Sequence, residues 1–274
     1  MFPANFFQIA LQRVCSGSPQ ACGATVVHAA ISSNLPMGIA ARYRIDTAIM
    51  TSRLASPLRI ALIGMSGAGK TFWTKRLAAS GHPYVSCDDQ IERRLQSRLA
   101  TGGYAGINGV AAWMGWPDSP TYAEREAEYL AEEIAVLGEV LTKLEGDRAS
   151  NLVLDTTGSV IHAGNNILMR LRRQMTVVHL AASPAEQQLL IQRYLTDPKP
   201  VLWRGAFRPK QGETPRETVA RCYPSLIAAR RQSYETLAHR TVPVADLQTL
   251  ARDAASDSDS AAAFLKKIRP CEGR

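Results

Sequence analysis

The sequence has no apolar run long enough to cross a bilayer, so no membrane-spanning helix is expected. Cysteine is sparse and scattered. Cys15, Cys22, Cys87, Cys222 and Cys271 are odd in number, far apart and without metal-ligand spacing. Neither a disulfide framework nor a zinc site is expected, and free thiols in a reducing compartment are. Aromatic residues make up 7% of the chain and show no base-stacking pattern of the kind an RNA-recognition sheet carries. Internal repeats and coiled-coil heptads are missing. Acids are outnumbered, 24 against 32 Lys and Arg, for a net charge of +8. The excess is spread along the chain rather than gathered in one basic block. It points to small anionic ligands ahead of nucleic acid or a membrane surface.

One stretch organises the rest. Gly64-Met65-Ser66-Gly67-Ala68-Gly69-Lys70-Thr71 matches G-x-x-x-x-G-K-[ST]. The apolar run Leu58 to Ile63 before it reads as a buried strand, and Phe72 to Ala79 after it as a helix. The glycines let the backbone turn its N–H groups inward, toward a polyphosphate at the positive end of the helix. In this pattern Gly64, Ser66, Gly67, Ala68, Gly69, Lys70 and Thr71 bind ATP phosphates. Lys70 reaches the β- and γ-phosphates, and the Thr71 hydroxyl holds Mg²⁺.

Residues 1–56 do not read as part of the core. They carry four arginines and one acid, Asp46, with much Ser, Ala and Gly. Three readings stand: a start misassigned ahead of Met50, an organelle transit peptide, or an extra module. The compartment follows from that choice, cytoplasmic or, with a transit peptide, an organelle matrix. The core domain is expected over 57–250 and a C-terminal tail over 251–274, with a short apolar helix near Ala261 to Ile268.

Past the first helix, Pro83 to Cys87 reads as a strand and Asp88 opens a helix. Asp89 and Glu92 have capping-box spacing, which would occupy Asp89 and leave Asp88 to face a pocket. The simpler reading has both acids capping the helix. Thr101 to Asp118 is a Gly-rich aromatic loop that either walls a pocket or packs on itself. Thr121 to Leu144 is helical, with Tyr129, Glu133, Val136 and Val140 at helical intervals and most of its acids expected on a solvated face. Asn151 to Asp155 is an apolar strand ending in an acid. At that place Asp155 can hold Mg²⁺ through water, act as a base, or merely cap the next segment. Ser183-Pro184-Ala185-Glu186 is a helix start. From Asp197 to Cys222, Lys199, Arg204, Arg208, Lys210, Arg216 and Arg221 are separated by Pro and Gly. Such a segment suits a lid closing over ATP, or is a solvated basic loop. A helix over Tyr223 to Ala238 and an edge strand over Thr241 to Val244 complete the core. About five strand–helix units with apolar strands predict a three-layer α/β/α fold with a mostly parallel five-stranded sheet.

Together these stretches resemble shikimate kinase and related small P-loop kinases, over about Leu58 to Leu247. Ser86 to Glu92 resembles the family's Asp-x-Asp segment followed by Ile-Glu. The resemblance makes Asp88 the acid that binds substrate hydroxyls, and puts Ser86 where the family has a second Asp near the metal. Thr156-Thr157-Gly158 aligns with the family's triple-glycine substrate loop, Lys199-Pro200-Val201 with its lid Arg-Pro-Leu, and Arg230 with Tyr234 with its carboxylate-binding arginine. The family's Phe-Arg substrate arginine has no clean counterpart, since Ala127 and Glu128 occupy its place.

The resemblance implies an ATP- and Mg²⁺-dependent kinase acting on a hydroxyl of a small, anionic metabolite. Lys70, Asp88 and Lys199 would be catalytic. Asp88, Thr157, Gly158 and Arg230 would bind substrate, and Thr71 and Asp155 the metal. The alternatives are a nucleotide or nucleoside kinase, and a non-catalytic ATP-binding regulatory protein. The oligomeric state is left open.

Overall fold

The strand ahead of the glycine-rich loop, β1 (Arg59–Ile63), buries every residue but its first. Ile60 and Leu62 point into one apolar cluster, Ala61 and Ile63 into another. A strand covered on both sides gains nothing from alternating polar residues, hence the continuous apolar run. The computed structural model describes residues 57–197 and 199–269. The expectations for residues 1–56, and for Cys15, Cys22 and Cys271, fall outside the described residues. Cys87 and Cys222 are free and buried. No helix among the described residues is long and apolar enough to cross a membrane.

Four strands join β1 in a five-stranded sheet: β2 (Tyr84–Ser86), β3 (Leu152–Asp155), β4 (Thr176–Ala181) and β5 (Arg240–Pro243). The order is β2-β3-β1-β4-β5 and every pairing is parallel. Leu62 pairs with Asp155 on one side and with Val178 on the other, and Ser86 pairs with Asp155. The chain leaves β1 toward β3 and β2 and returns on its other side to β4. The carboxyl ends at that switch point form the crevice where open α/β sheets take ligands.

One face is covered by α1 (Lys70–Ala79), α9 (Val244–Asp253) and α10 (Asp257–Ile268). The other packs α2 (Cys87–Arg94), α5 (Tyr122–Gly146), α6 (Asn165–Gln174), α7 (Pro184–Thr196) and α8 (Pro215–Leu237). The expected three layers are present. Segment 257–268 is not a tail, however. Phe264 is fully buried and stacks on Trp73 of α1 with ring centroids 4.9 Å apart. Arg76 bonds Ser260 at 2.7 Å and pairs with Asp257 at 3.2 Å. The acids and serines of Asp257 to Ser260 hid this by making the segment polar on average, while its apolar positions line one face.

Three local expectations change. The aromatic loop of Thr101 to Asp118, where a helical turn near Val110 to Met114 is expected, holds a full helix, α4 (Gly106–Met114), with Trp113 buried, and a short helix, α3 (Gln96–Thr101), leads into it. The Asp89–Glu92 capping box does not form. Ser86 is the N-cap, accepting from Asp89 N–H at 3.2 Å, and Glu92 accepts from Gly106 N–H at 2.7 Å instead. Helix α8 begins eight residues before Tyr223. Thr214 caps it in a capping box with Glu217 and Pro215 at its start, and it runs through Pro224. The expected start at Tyr223 lies inside this helix, one residue before Pro224, whose missing N–H removes one bond from the helical ladder.

Candidate active site

The P-loop geometry follows from its glycines. Gly64, Gly67 and Gly69 have φ of 140°, 83° and 94°. A Cβ at Gly64 would lie 2.8 Å from the Leu180 carbonyl, and one at Gly67 would lie 2.9 Å from a Leu190 methyl. Helix α1 starts at Gly69 with no side-chain cap and no acid in its first turn, so its positive end is open to an anion. Lys70 is buried and donates to the Gly64 and Met65 carbonyls at 3.0 and 3.1 Å. Burial pushes its ammonium pKa down, against the pull of Asp155, Asp88 and Glu133. These three acids and one lysine therefore share one electrostatic site.

Asp155 ends β3 with 3% of its surface exposed. Burial raises its pKa, opposed by Lys70 and by a hydrogen bond from Thr71. Its Oδ1 has no hydrogen-bond partner among the described residues. A buried carboxylate oxygen left open beside a P-loop threonine fits a cation held by one carboxylate, one hydroxyl and otherwise water or phosphate. No set of three or more His, Cys, Asp and Glu that could hold a metal occurs among the described residues.

Asp88 lies in the first turn of α2 and does face this site. Its Oδ1 accepts from Tyr129 OH at 3.2 Å. Burial lifts its pKa to about 6, Lys70 opposes the rise and Asp155 adds to it. Such a carboxyl titrates near neutrality, where a base toward a hydroxyl is most useful.

The sequence reading missed Glu133. Its spacing sets it with Tyr129, Val136 and Val140, and no role was assigned to it. It has no exposed surface. Its two oxygens accept from the Thr157 and Ser159 hydroxyls, the latter at 2.6 Å. Ser159 N–H donates to Thr157 Oγ1 at 3.0 Å. Burial raises the Glu133 pKa to about 7, with the two hydroxyls opposing. The Thr157 hydroxyl is thus occupied within the protein. The detectable signal was an acid one turn after Tyr129 on an apolar face.

Gly158 lies against the P-loop, where a Cβ would come within 3.2 Å of Ser66 N. Its carbonyl accepts from Tyr234 OH and from Arg230 Nη1, the latter at 3.2 Å. Arg230 Nη2 donates to the Leu202 carbonyl, and Nε is buried without a partner among the described residues. Arg230 thus ties the 156–159 loop to the base of the lid segment.

The lid segment itself is partly anchored. Val201, Leu202 and Trp203 are buried. Tyr122 OH donates to Val201 O at 2.6 Å and accepts from Trp203 N–H at 3.1 Å, while Glu126 accepts from Arg204 N–H at 2.9 Å. Lys199 stands apart from the acid cluster. Its ammonium bonds Asn108 and pairs with Asp197 at 3.1 Å. The structure therefore brings together Lys70, Thr71, Asp88, Asp155 and Gly158, with Arg230 behind them, and leaves Lys199 outside.

No family model and no curated protein matches the chain. Among solved structures, the chain is similar to a shikimate kinase from Acinetobacter baumannii in complex with shikimate. Identity is 26%, covering 77% of this chain and 93% of that one, with a TM-score of 0.48. It is also similar to the shikimate kinase of Bacteroides thetaiotaomicron, at 20% identity, 76% and 97% coverage and a TM-score of 0.46. A gluconokinase from Sinorhizobium meliloti follows at 14% identity, 77% and 95% coverage and a TM-score of 0.32.

Proposed function

We propose that the protein is a small-molecule kinase that moves the γ-phosphoryl group of ATP to a hydroxyl of a small, anionic acceptor. The observation that carries this reading is the shared site of Lys70, Asp88 and Asp155 at the open end of α1. The loop amides and Lys70 bind the phosphates, with the ammonium leaving the Gly64 and Met65 carbonyls to do so. Thr71 and Asp155 would hold Mg²⁺, which supplies charge neutralisation to the phosphates when bound. Asp88 orients the acceptor hydroxyl and takes its proton. The acceptor oxygen bonds to the γ-phosphorus as the bond to the β–γ bridging oxygen breaks, and ADP leaves. Lys199 and the lid arginines neutralise charge in transfer once Lys199 exchanges Asn108 for phosphate. The Arg230 Nε, buried and without a partner among the described residues, supports an anionic acceptor.

The test is ADP release against a panel of hydroxylated carboxylic acids that includes shikimate and gluconate. One acceptor should stimulate release. Asp88→Asn should lower the stimulated rate by about 10²–10⁴-fold while leaving ATP binding intact. Lys70→Ala should lose both. Full turnover in Lys70→Ala overturns the reading. ATP binding with no acceptor in any nucleotide, nucleoside or metabolite panel moves it to a regulatory nucleotide-binding protein.

A further inference from the structure

The opposite end of the sheet carries a second cavity, of about 520 Å³. It opens where β1, β4 and β5 begin, whereas the P-loop lies where β1 ends. The five residues of β1 put the two roughly 16 Å apart. Its polar lining is dominated by Arg59, Arg172, Arg173, Arg240 and Arg269 with His239, and among the described residues no Asp or Glu lines it. An apolar wall that includes Met175 and Leu265 completes it.

Two of these arginines have structural work. Arg59 donates to the Ser150 carbonyl at 3.1 Å and to that of Asp147. Arg172 donates to the carbonyls of Thr236 and Ala238, each at 3.1 Å, at the end of α8. The Arg173 and Arg269 side chains have no hydrogen-bond or ion-pair partner among the described residues, and the Arg240 side chain bonds only the His239 carbonyl, at 3.2 Å. Helix ends supply some compensation. Arg173 is in the last turn of α6, and Arg269 is the C-cap of α10. Three helix C-termini offer about half a negative charge each, roughly 1.5 in all, against five guanidinium groups. Most of the positive charge stays unbalanced. The imidazole of His239, which accepts from Val177 N–H at 3.0 Å, responds to it: burial, then Arg172 and Arg240, push its pKa down.

By composition, the sequence on either side carries no net negative charge. Residues 1–56 carry four arginines and one acid, and in 270–274 Glu272 is offset by Arg274. We propose that this cavity binds a small organic anion, with a phosphate or carboxylate group among Arg173, Arg240 and Arg269 and an apolar body on the Met175–Leu265 wall. A concave site of this volume suits a small molecule rather than an extended polyanion.

Phenyl phosphate carries both features, and two methionines report on the two sites. Met175 lines this cavity and Met65 sits in the P-loop. In the full chain labelled at its methionine methyl groups, NMR titration with phenyl phosphate should shift Met175 saturably. The exposed-surface double variant Arg240→Gln with Arg269→Gln should weaken that binding by about tenfold or more while circular dichroism stays unchanged. Arg173→Gln alone should weaken it by less. A Met175 signal that never moves, or moves equally in the double variant, overturns the proposal. So does a shift confined to Met65. Tighter binding of longer single-stranded RNA with Met175 unmoved assigns the face to a polyelectrolyte and overturns it too.

Discussion

Glu133 is the residue on which most is held with least surface. With no exposure and two hydroxyls on its oxygens, it fixes Thr157 and Ser159 on either side of Gly158. Its pKa is raised from 4.5 to about 7, and that of Asp88 from 3.8 to about 6. The linkage has one sign for both. An acid whose folded pKa lies above its unfolded pKa binds more protons folded than unfolded, so stability is full at low pH and falls as pH rises. The window runs from about pH 4 through pH 7 for these two groups. Denaturant melts of the wild type should therefore lose the share of stability that these two groups contribute between about pH 4 and pH 7, against the opposite slope of His162 and His179, whose pKa values burial lowers to about 4. Glu133→Gln should flatten the upper part of that loss, because an amide does not titrate. An equal slope in the variant would remove Glu133 from this role. Glu133 was hard to read in sequence because helical spacing shows which face a residue is on, and not whether a hydroxyl waits opposite it.

At the scale of elements, one helix start was legible from local chemistry, while the α2 and α8 starts were read at the wrong residues. Ser183-Pro184-Ala185-Glu186 forms the capping box its spacing implies, with Glu186 N–H donating to Ser183 Oγ at 3.3 Å. Thr214-Pro215-Arg216-Glu217 has the same pattern and does the same for α8. Thr214→Ala should cost about 1 kcal/mol in thermal or denaturant unfolding. A loss near zero would mean that α8 is held by its packing alone. Strand ends were legible for a similar reason: an acid closing an apolar run, as at Asp155, stands at the end of the sheet where the crevice is. The lid segment was not. Its charges suggested a mobile lid or a solvated loop, while Val201 to Trp203 are buried and Trp203 packs among Tyr194, Tyr223 and Phe207. Three apolar residues are too few for a periodicity, so only their neighbours reveal the anchor.

At the scale of the molecule, the sheet is closed on one face by a helix contributed near the end of the chain. Phe264→Ala removes a fully buried ring stacked on Trp73, a change expected to cost about 3–5 kcal/mol in denaturant unfolding. Loss of α1 support should also weaken ATP binding, since the P-loop rests on that helix. Unchanged stability would return 257–268 to the status of a tail. The apolar strands, the P-loop and the strand–helix alternation were determined by sequence alone, because each rests on residues within one turn or one strand of each other. The sheet order β2-β3-β1-β4-β5 placed Asp88, Asp155 and Lys70 in one crevice, and tertiary structure alone decided that. It also decided that Glu133 is buried, that Arg230 spans Gly158 and Leu202, and that five arginines meet at the far end of the sheet. Those contacts join segments distant in the chain, and the charge and burial each residue experiences are set by neighbours that no local pattern names.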